Sequence, residues 1–187
     1  EIGRMFAFAN GEKENGAVFS HMTVMYANAL YRRGFAAEGW KALKALADAA
    51  LHFETSRIYP GIPEYFRSDG RGMYHYLTGA ASWYMLTMIT EAFGVRGSSG
   101  DLVLYPKLLA GQFDTEGTAS ICLSFAGKKL CITYINKSGL DYGSYTVSAA
   151  SCNGIKLDIR EHSYAIIPKE MLSALSDGTN KVTVALL

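Results

Sequence analysis

Two short strings combine side chains suited to holding anions and sugars. The first is Lys13-Glu14-Asn15-Gly16-Ala17-Val18-Phe19-Ser20-His21. Charged and polar residues precede a glycine, and a histidine then sits at the mouth of a helix. Imidazole titrates near neutrality, so it can donate a hydrogen bond to a bound anion. The second string is Leu77-Thr78-Gly79-Ala80-Ala81-Ser82-Trp83. Thr78 opens a helix, and the small residues after it let a ligand approach free backbone N–H groups, where the helix dipole favours negative charge. Both strings also have a plainer reading. Asn15 or Ser20 caps a helix with His21 packed on a neighbour, and Thr78 caps a tightly packed core helix. Taken singly, each string fits the plainer reading better.

Positioning these residues requires helices. Residues 18–33 repeat apolar side chains at helical spacing and stop at Gly34, a residue suited to the position just past a helix end. Residues 36–52 are rich in strong helix formers, with Trp40, Leu43, Ala47 and Leu51 near one face. Residues 77–93 are apolar nearly all round and end at Gly94. That run is shorter than the about 20 residues of a membrane span and carries Glu91, so it predicts a buried helix. Residues 54–76, with Pro60, Gly61, Pro63, Gly70 and Gly72, read as one long loop of the kind that carries function. Three helices apolar on several sides cannot cover one another, so they expect partner helices from further chain upstream. Glu1 in place of methionine agrees with a piece cut from a longer protein.

From about residue 98 the period becomes that of strands. Residues 120–125 and 129–135 alternate around a turn read as Ala126, Gly127 and Lys128. Residues 145–149 and 155–159 flank Asn153-Gly154, a strong hairpin signal. Residues 163–167 and 181–187 add strands on either side of a short helix opened by Pro168. The pattern predicts an α+β chain: helices over 1–97, a joint at Gly97-Ser98-Ser99-Gly100, and a small antiparallel, jelly-roll-like β-sandwich over 98–187.

Bulk properties exclude several classes. With 49% hydrophobic and 19% charged residues, the chain is globular rather than disordered. A net charge of +1 gives no basis for binding nucleic acid or an anionic membrane. Cys122, Cys131 and Cys152 are odd in number and lack metal-ligand spacing. Cys122 and Cys131 read as ordinary buried thiols, and the cysteine usage points to an intracellular, cytoplasmic setting and to no metal.

Together, KENGAVFSH, YLTGAASW and the following FGVR…DLVLYPKL resemble the C-terminal third of the family 94 glycoside phosphorylases. Cellobiose, chitobiose and 1,2-β-oligoglucan phosphorylases belong there, and related modules occur in cyclic β-1,2-glucan synthases. The resemblance covers nearly all of the helical half and weakens past about residue 115. It implies the last helices of an (α/α)6 barrel followed by the sandwich. It also implies a glycosyltransferase-type phosphorylase that cleaves a β-glucosidic bond with inorganic phosphate, inverting the anomeric centre to give α-glucose 1-phosphate. That scheme resembles inverting hydrolysis, with phosphate in place of water and its activating base.

By motif matching, His21, the hydroxyl of Thr78 and the backbone N–H of Gly79 carry over as phosphate ligands, while Lys13 and Glu14 line the sugar-acceptor side. The aspartic acid that protonates the leaving oxygen is implied upstream, as is a basic phosphate ligand, so the chain by itself is expected to be inactive. Neither mid-helix Asp48 nor Asp69 matches the acid motif. Tyr65, Arg71 and Tyr74, in the tyrosine- and arginine-rich loop of residues 57–79, suit sugar faces and hydroxyls or else pack the loop down. The loop is similar to that of enzymes acting on β-1,2-gluco-oligosaccharides, with cellobiose-like disaccharides as the other substrate class. Phosphate is a co-substrate and no cofactor is implied. Family members are often homodimers, although the sequence offers no clear interface patch. Two rival readings remain: a glucoamylase-like (α/α)6 hydrolase, which needs a second carboxylate, and a non-catalytic carbohydrate-binding module.

Overall fold

The computed structural model describes residues 3–59, 61–74 and 79–187. The chain divides into two compact units, Glu1–Met88 and Ile89–Leu187.

In the first unit, the short strand β1 (Val18–Phe19) leads directly into helix α1 (Ser20–Arg32). The expected helix start at residue 18 is thus two residues early. Val18 and Phe19 pair instead with Phe66 and Tyr65 of β2 (Tyr65–Phe66), a partner no local pattern announces. Neither expected cap operates: the helix is preceded by Phe19 with no side-chain cap, and the Asn15 amide donates to the Phe8 carbonyl. The helix end is as expected. Gly34 adopts φ 87°, and the N–H groups of Gly34 and Phe35 reach the carbonyls of Tyr31 and Leu30, the paired bonds of a glycine-terminated helix. Helix α2 (Ala36–Leu51) returns along α1, and at Gly39 any Cβ would lie 2.6 Å from the Tyr31 ring.

Residues 54–76 are not one loop. A helical turn, α3 (Phe53–Ser56), is followed by β2 and then β3 (Gly72–Met73), so that β1, β2 and β3 form a small antiparallel sheet. Strands of two residues are too short to show a period of two. Helix α4 (Gly79–Thr87) then runs into a π-helical turn over Met88–Ala92. Met22, Met25, Tyr26, Met85 and Leu86 of α1 and α4 are exposed, and within α4 only Ala80 and Thr87 are buried, so the run expected as a buried helix is not covered by the described residues.

The second unit holds two sheets. Strands β4 (Val95–Ser98) and β5 (Asp101–Leu104) form a hairpin, so the expected joint at residues 97–100 is the end of β4 and the turn Ser99-Gly100. They join β10 (Asp158–Arg160) and β11 (Tyr164–Ile167) in the order β10-β11-β5-β4. The other sheet runs β6-β7-β12-β8-β9, from β6 (Thr118–Phe125), β7 (Lys128–Ile135), β8 (Val147–Cys152), β9 (Ile155–Lys156) and β12 (Thr179–Leu186). Helix α5 (Lys169–Ala174) follows Pro168 as expected, and Asn153-Gly154 closes the β8–β9 hairpin. One pairing departs from the all-antiparallel expectation: β12 lies parallel to β7 over seven residue pairs, from Thr179↔Lys129 to Ala185↔Ile135. Alternate residues of β12 (Asn180, Val182, Val184, Leu186) are buried.

Asn180 is the polar member of that buried row. Its amide donates to the carbonyls of Lys129, Ser176 and Gly178 at 3.0–3.1 Å, and its oxygen accepts from the Asn153 amide at 2.9 Å. Asn180→Ala removes the hydrogen bonds of three carbonyls and of the Asn153 amide. We expect it to cost about 2–3 kcal/mol, read as a lower urea midpoint with unchanged slope.

The cysteines overturn the free-thiol expectation. Cys122 and Cys131 form a disulfide, while Cys152 is a buried free thiol. Cysteine usage therefore no longer supports the cytoplasmic expectation. Among the described residues, no helix is long and apolar enough to cross a membrane, and no cluster of metal-ligating side chains occurs.

Candidate functional site

His21 of the first string and Gly79 of the second meet in the first unit. His21 lies in the first turn of α1, and its ring packs on the first residue of α4: a Cβ added to Gly79 would lie 2.7 Å from His21 Cε1 and 2.9 Å from Nδ1. Only glycine lets the imidazole come this close. Trp83, one turn further along α4, flanks the ring at 5.8 Å between centroids. About two turns further along the same two helices, buried Asn28 donates to Thr87 Oγ1 at 3.1 Å. Contacts at 21/79 and at 28/87 mean that α1 and α4 run parallel, so their N-termini lie together. Both positive dipole ends and the first-turn N–H groups of the two helices therefore converge beside His21.

Two buried polar atoms here, His21 Nε2 and Ser20 Oγ, have no partner among the described residues. An orphaned buried donor of this kind costs about 1–3 kcal/mol, which a bound acceptor would recover. An imidazole, a hydroxyl and two helix N-termini are thus gathered here, a set of groups that favours negative charge. Thr78, the other expected phosphate ligand, lies outside the described residues.

A second group of side chains adjoins it. The N–H of Ser20 donates to the Glu64 carbonyl at 2.9 Å, tying the start of α1 to the segment that enters β2. The loop of residues 11–16 is closed by the Gly11 N–H on the Asn15 carbonyl, and it presents Lys13 in a left-handed conformation, φ 43°. The Lys13 ammonium lies 3.8 Å from the Glu64 carboxylate, 4.5 Å from the centre of the Tyr74 ring and 5.4 Å from that of Phe8. Tyr74 is also left-handed, φ 56°, and strained non-glycine residues of this sort gather at ligand sites. Glu14 is half-buried in the same loop.

Of the residues expected to face a sugar, the structure therefore brings Lys13 and Tyr74 together. Tyr65 lies 5.9 Å from Tyr74 but is 3% exposed, and burial, with Glu12, Tyr74 and Glu64 near it, raises its phenol above the usual range. Tyr65 thus supports the ring of Tyr74 from below. Arg71 is exposed, its backbone N–H bonded to Asp69, whose carboxylate pairs with Arg67 at 3.3 Å. Asp48 forms an exposed ion pair with Lys44. Trp83 and Glu64 join the site without having been expected there, and Ser20 was expected only as a helix cap. The spacing of four between Gly79 and Trp83 was a usable signal, while Glu64 shows none.

No protein-family model matches the chain. Over 122 residues it is 27% identical to a curated protein of Neurospora crassa, the alignment covering 58% of this chain and 15% of that protein. That relative is named cellobionic acid phosphorylase. The similarity is to a phosphorylase. The chain spans a small part of that enzyme's length, and the likeness supports phosphorylase kinship at the level of a distant relative.

Proposed function

We propose that this chain supplies part of the phosphate cradle of an inverting glycoside phosphorylase of the family 94 type. The observation that carries the reading is the contact of His21 with Gly79, where a buried imidazole nitrogen with no partner among the described residues sits between two converging helix N-termini. In this reading His21, the Gly79 N–H and the hydroxyl of Thr78 hold inorganic phosphate, and Ser20 adds a donor. Lys13, Glu14 and Tyr74 shape the acceptor side, with Tyr65 beneath and Arg71 at its edge. The phosphate attacks the anomeric carbon while an aspartic acid elsewhere in the longer polypeptide protonates the leaving oxygen. The exposed apolar faces of α1 and α4 are covered by barrel helices of that polypeptide, and the second unit is its C-terminal sandwich. The substrates are β-1,2-gluco-oligosaccharides or cellobiose-like disaccharides, and the enzyme works in the cytoplasm, as a homodimer and without a cofactor.

The test is phosphate-dependent cleavage by the full-length protein incubated with short β-1,2- and β-1,4-glucans. Production of α-glucose 1-phosphate only when phosphate is present is the expected result. Equal sugar release without phosphate means a hydrolase and removes the cradle assignment. Binding of the glucans with no cleavage under either condition favours a carbohydrate-binding module.

A further inference from the structure

The disulfide of the second unit lies where a redox reagent can reach it. Strands β6 and β7 are joined by the two-residue turn Ala126-Gly127, and facing residues run from Phe125↔Lys128 outward to Thr118↔Ile135. In a two-residue hairpin the pair next to the turn is hydrogen-bonded, and the pairs then alternate. Cys122↔Cys131 falls in the non-hydrogen-bonded class, where side chains stand closest, and its Cα atoms are 4.1 Å apart. The pair belongs to a polar strip. On one side of it, Ser120 and Thr133 share a hydrogen bond at 2.9 Å, and on the other Ser124 faces Lys129. The opposite face of the hairpin carries the buried Ala119, Leu130, Ile132 and Tyr134. β6 is an edge strand, Cys122 is exposed and Cys131 partly so. Cys152, by contrast, has 0% exposure, on β8 opposite Val182.

We infer that Cys122 and Cys131 are a reversible redox site on the solvent face of the β6–β7 hairpin, and that Cys152 takes no part in it. The chemistry is thiol–disulfide exchange with a small dithiol. One thiolate of the reductant attacks a sulfur of the pair, the S–S bond breaks and the other cysteine leaves as a thiolate. The second thiol of the reductant then closes on the mixed disulfide, releasing the first cysteine and oxidised reductant. A low-molecular-weight disulfide such as oxidised glutathione reverses the sequence. The eight-pair ladder and the apolar inner face of the hairpin do not depend on the S–S bond, so the sheet persists when the bond opens. The pair can therefore cycle without unfolding, and reduction leaves two adjacent accessible thiols.

The experiment is alkylation of the native full-length protein with iodoacetamide, read by peptide mass at each of the three positions. Air-oxidised protein is expected to take no label at Cys122 or Cys131. After dithiothreitol it takes label at both, and oxidised glutathione restores the unlabelled state. Cys152 is labelled only after denaturation. Circular dichroism stays constant through the cycle and the melting temperature falls by a few degrees on reduction. Cys122→Ser leaves Cys131 reactive without any reductant. Labelling of both cysteines in air-oxidised protein overturns the inference, as do resistance to dithiothreitol in the folded state and loss of β-sheet signal on reduction. Labelling of Cys152 in step with the pair likewise rules out the proposed division of roles.

Discussion

His21→Ala in the full-length protein is expected to raise the KM for phosphate and lower kcat/KM for phosphorolysis by about 10- to 100-fold, with little change in melting temperature. The size follows from one hydrogen bond to a charged acceptor, about 1.5–3 kcal/mol, lost from the transition state. Stability is expected to hold because Nε2 has no partner among the described residues to lose. Removing the ring also relieves a buried unsatisfied nitrogen. Gly79→Ala makes the same point from the other side. Its methyl would lie within 2.7–3.2 Å of three ring atoms, so the imidazole must swing away while every donor remains present. We expect at least as large a loss from this one methyl, with the KM for sugar nearly unchanged. Steady-state kinetics at varied phosphate, with thermal melts alongside, checks both variants. A Gly79→Ala enzyme with wild-type phosphate dependence would sink the cradle.

Gly94→Ala is expected to be the most destabilising single methyl in the chain. Gly94 follows the π-helical turn and holds φ 66°, a conformation that costs a side-chain-bearing residue about 1–2 kcal/mol. The larger penalty is steric. An added Cβ would fall on the Tyr105 carbonyl and reach Pro106 N at 2.8 Å. These are backbone atoms held in place by the Tyr105 N–H on the Gly94 carbonyl and by the Val95↔Leu104 pairing of the β4–β5 hairpin. No rotamer change can clear them, so the hairpin must open at its base. We expect a loss of more than about 4 kcal/mol, a large part of a typical domain's stability. Urea unfolding followed by circular dichroism measures it. Gly111→Ala is the control: nothing lies within 4 Å of its Cβ and its φ is ordinary, so stability should stay within about 0.5 kcal/mol. Equal midpoints for the two variants would contradict the close approach at Gly94.

What could be read beforehand was what neighbours in sequence determine. The glycine-terminated end of α1 at Gly34, nearly the whole of α2, the Asn153-Gly154 hairpin and the helix after Pro168 depend on residues within a few positions of one another. What stayed hidden depends on distant partners. Val18 and Phe19 leave the helical pattern only because residues 65 and 66 offer them a strand. The parallel β7–β12 pairing leaves no mark on either strand's alternation. The cysteines show how small a misreading suffices. A three-residue turn at 126–128 sets Cys122 opposite residue 132, whereas the observed two-residue turn sets it opposite Cys131. At the candidate site the residue types were legible in both strings. Their contact across 58 positions, the parallel course of α1 and α4, and the Glu64 beside Lys13 were not.

The central place of β12 also bears on how the second unit is made. Its residues 179–186 fill the slot between β7 and β8, and β7 pairs with it only across some fifty intervening residues. During synthesis β6 and β7 can form their hairpin as soon as they emerge, because that contact is local. The inner flank of β7, however, stays an open edge until β12 arrives, and long-range parallel pairing is intrinsically slow. For that interval the nascent unit exposes the Ile132 and Tyr134 row beside unpaired backbone, the condition under which chains pair with one another instead of with themselves. The charged and polar residues that share β7 with that row, Lys128, Lys129 and Thr133, thereby acquire a second role as guards of an unfinished sheet.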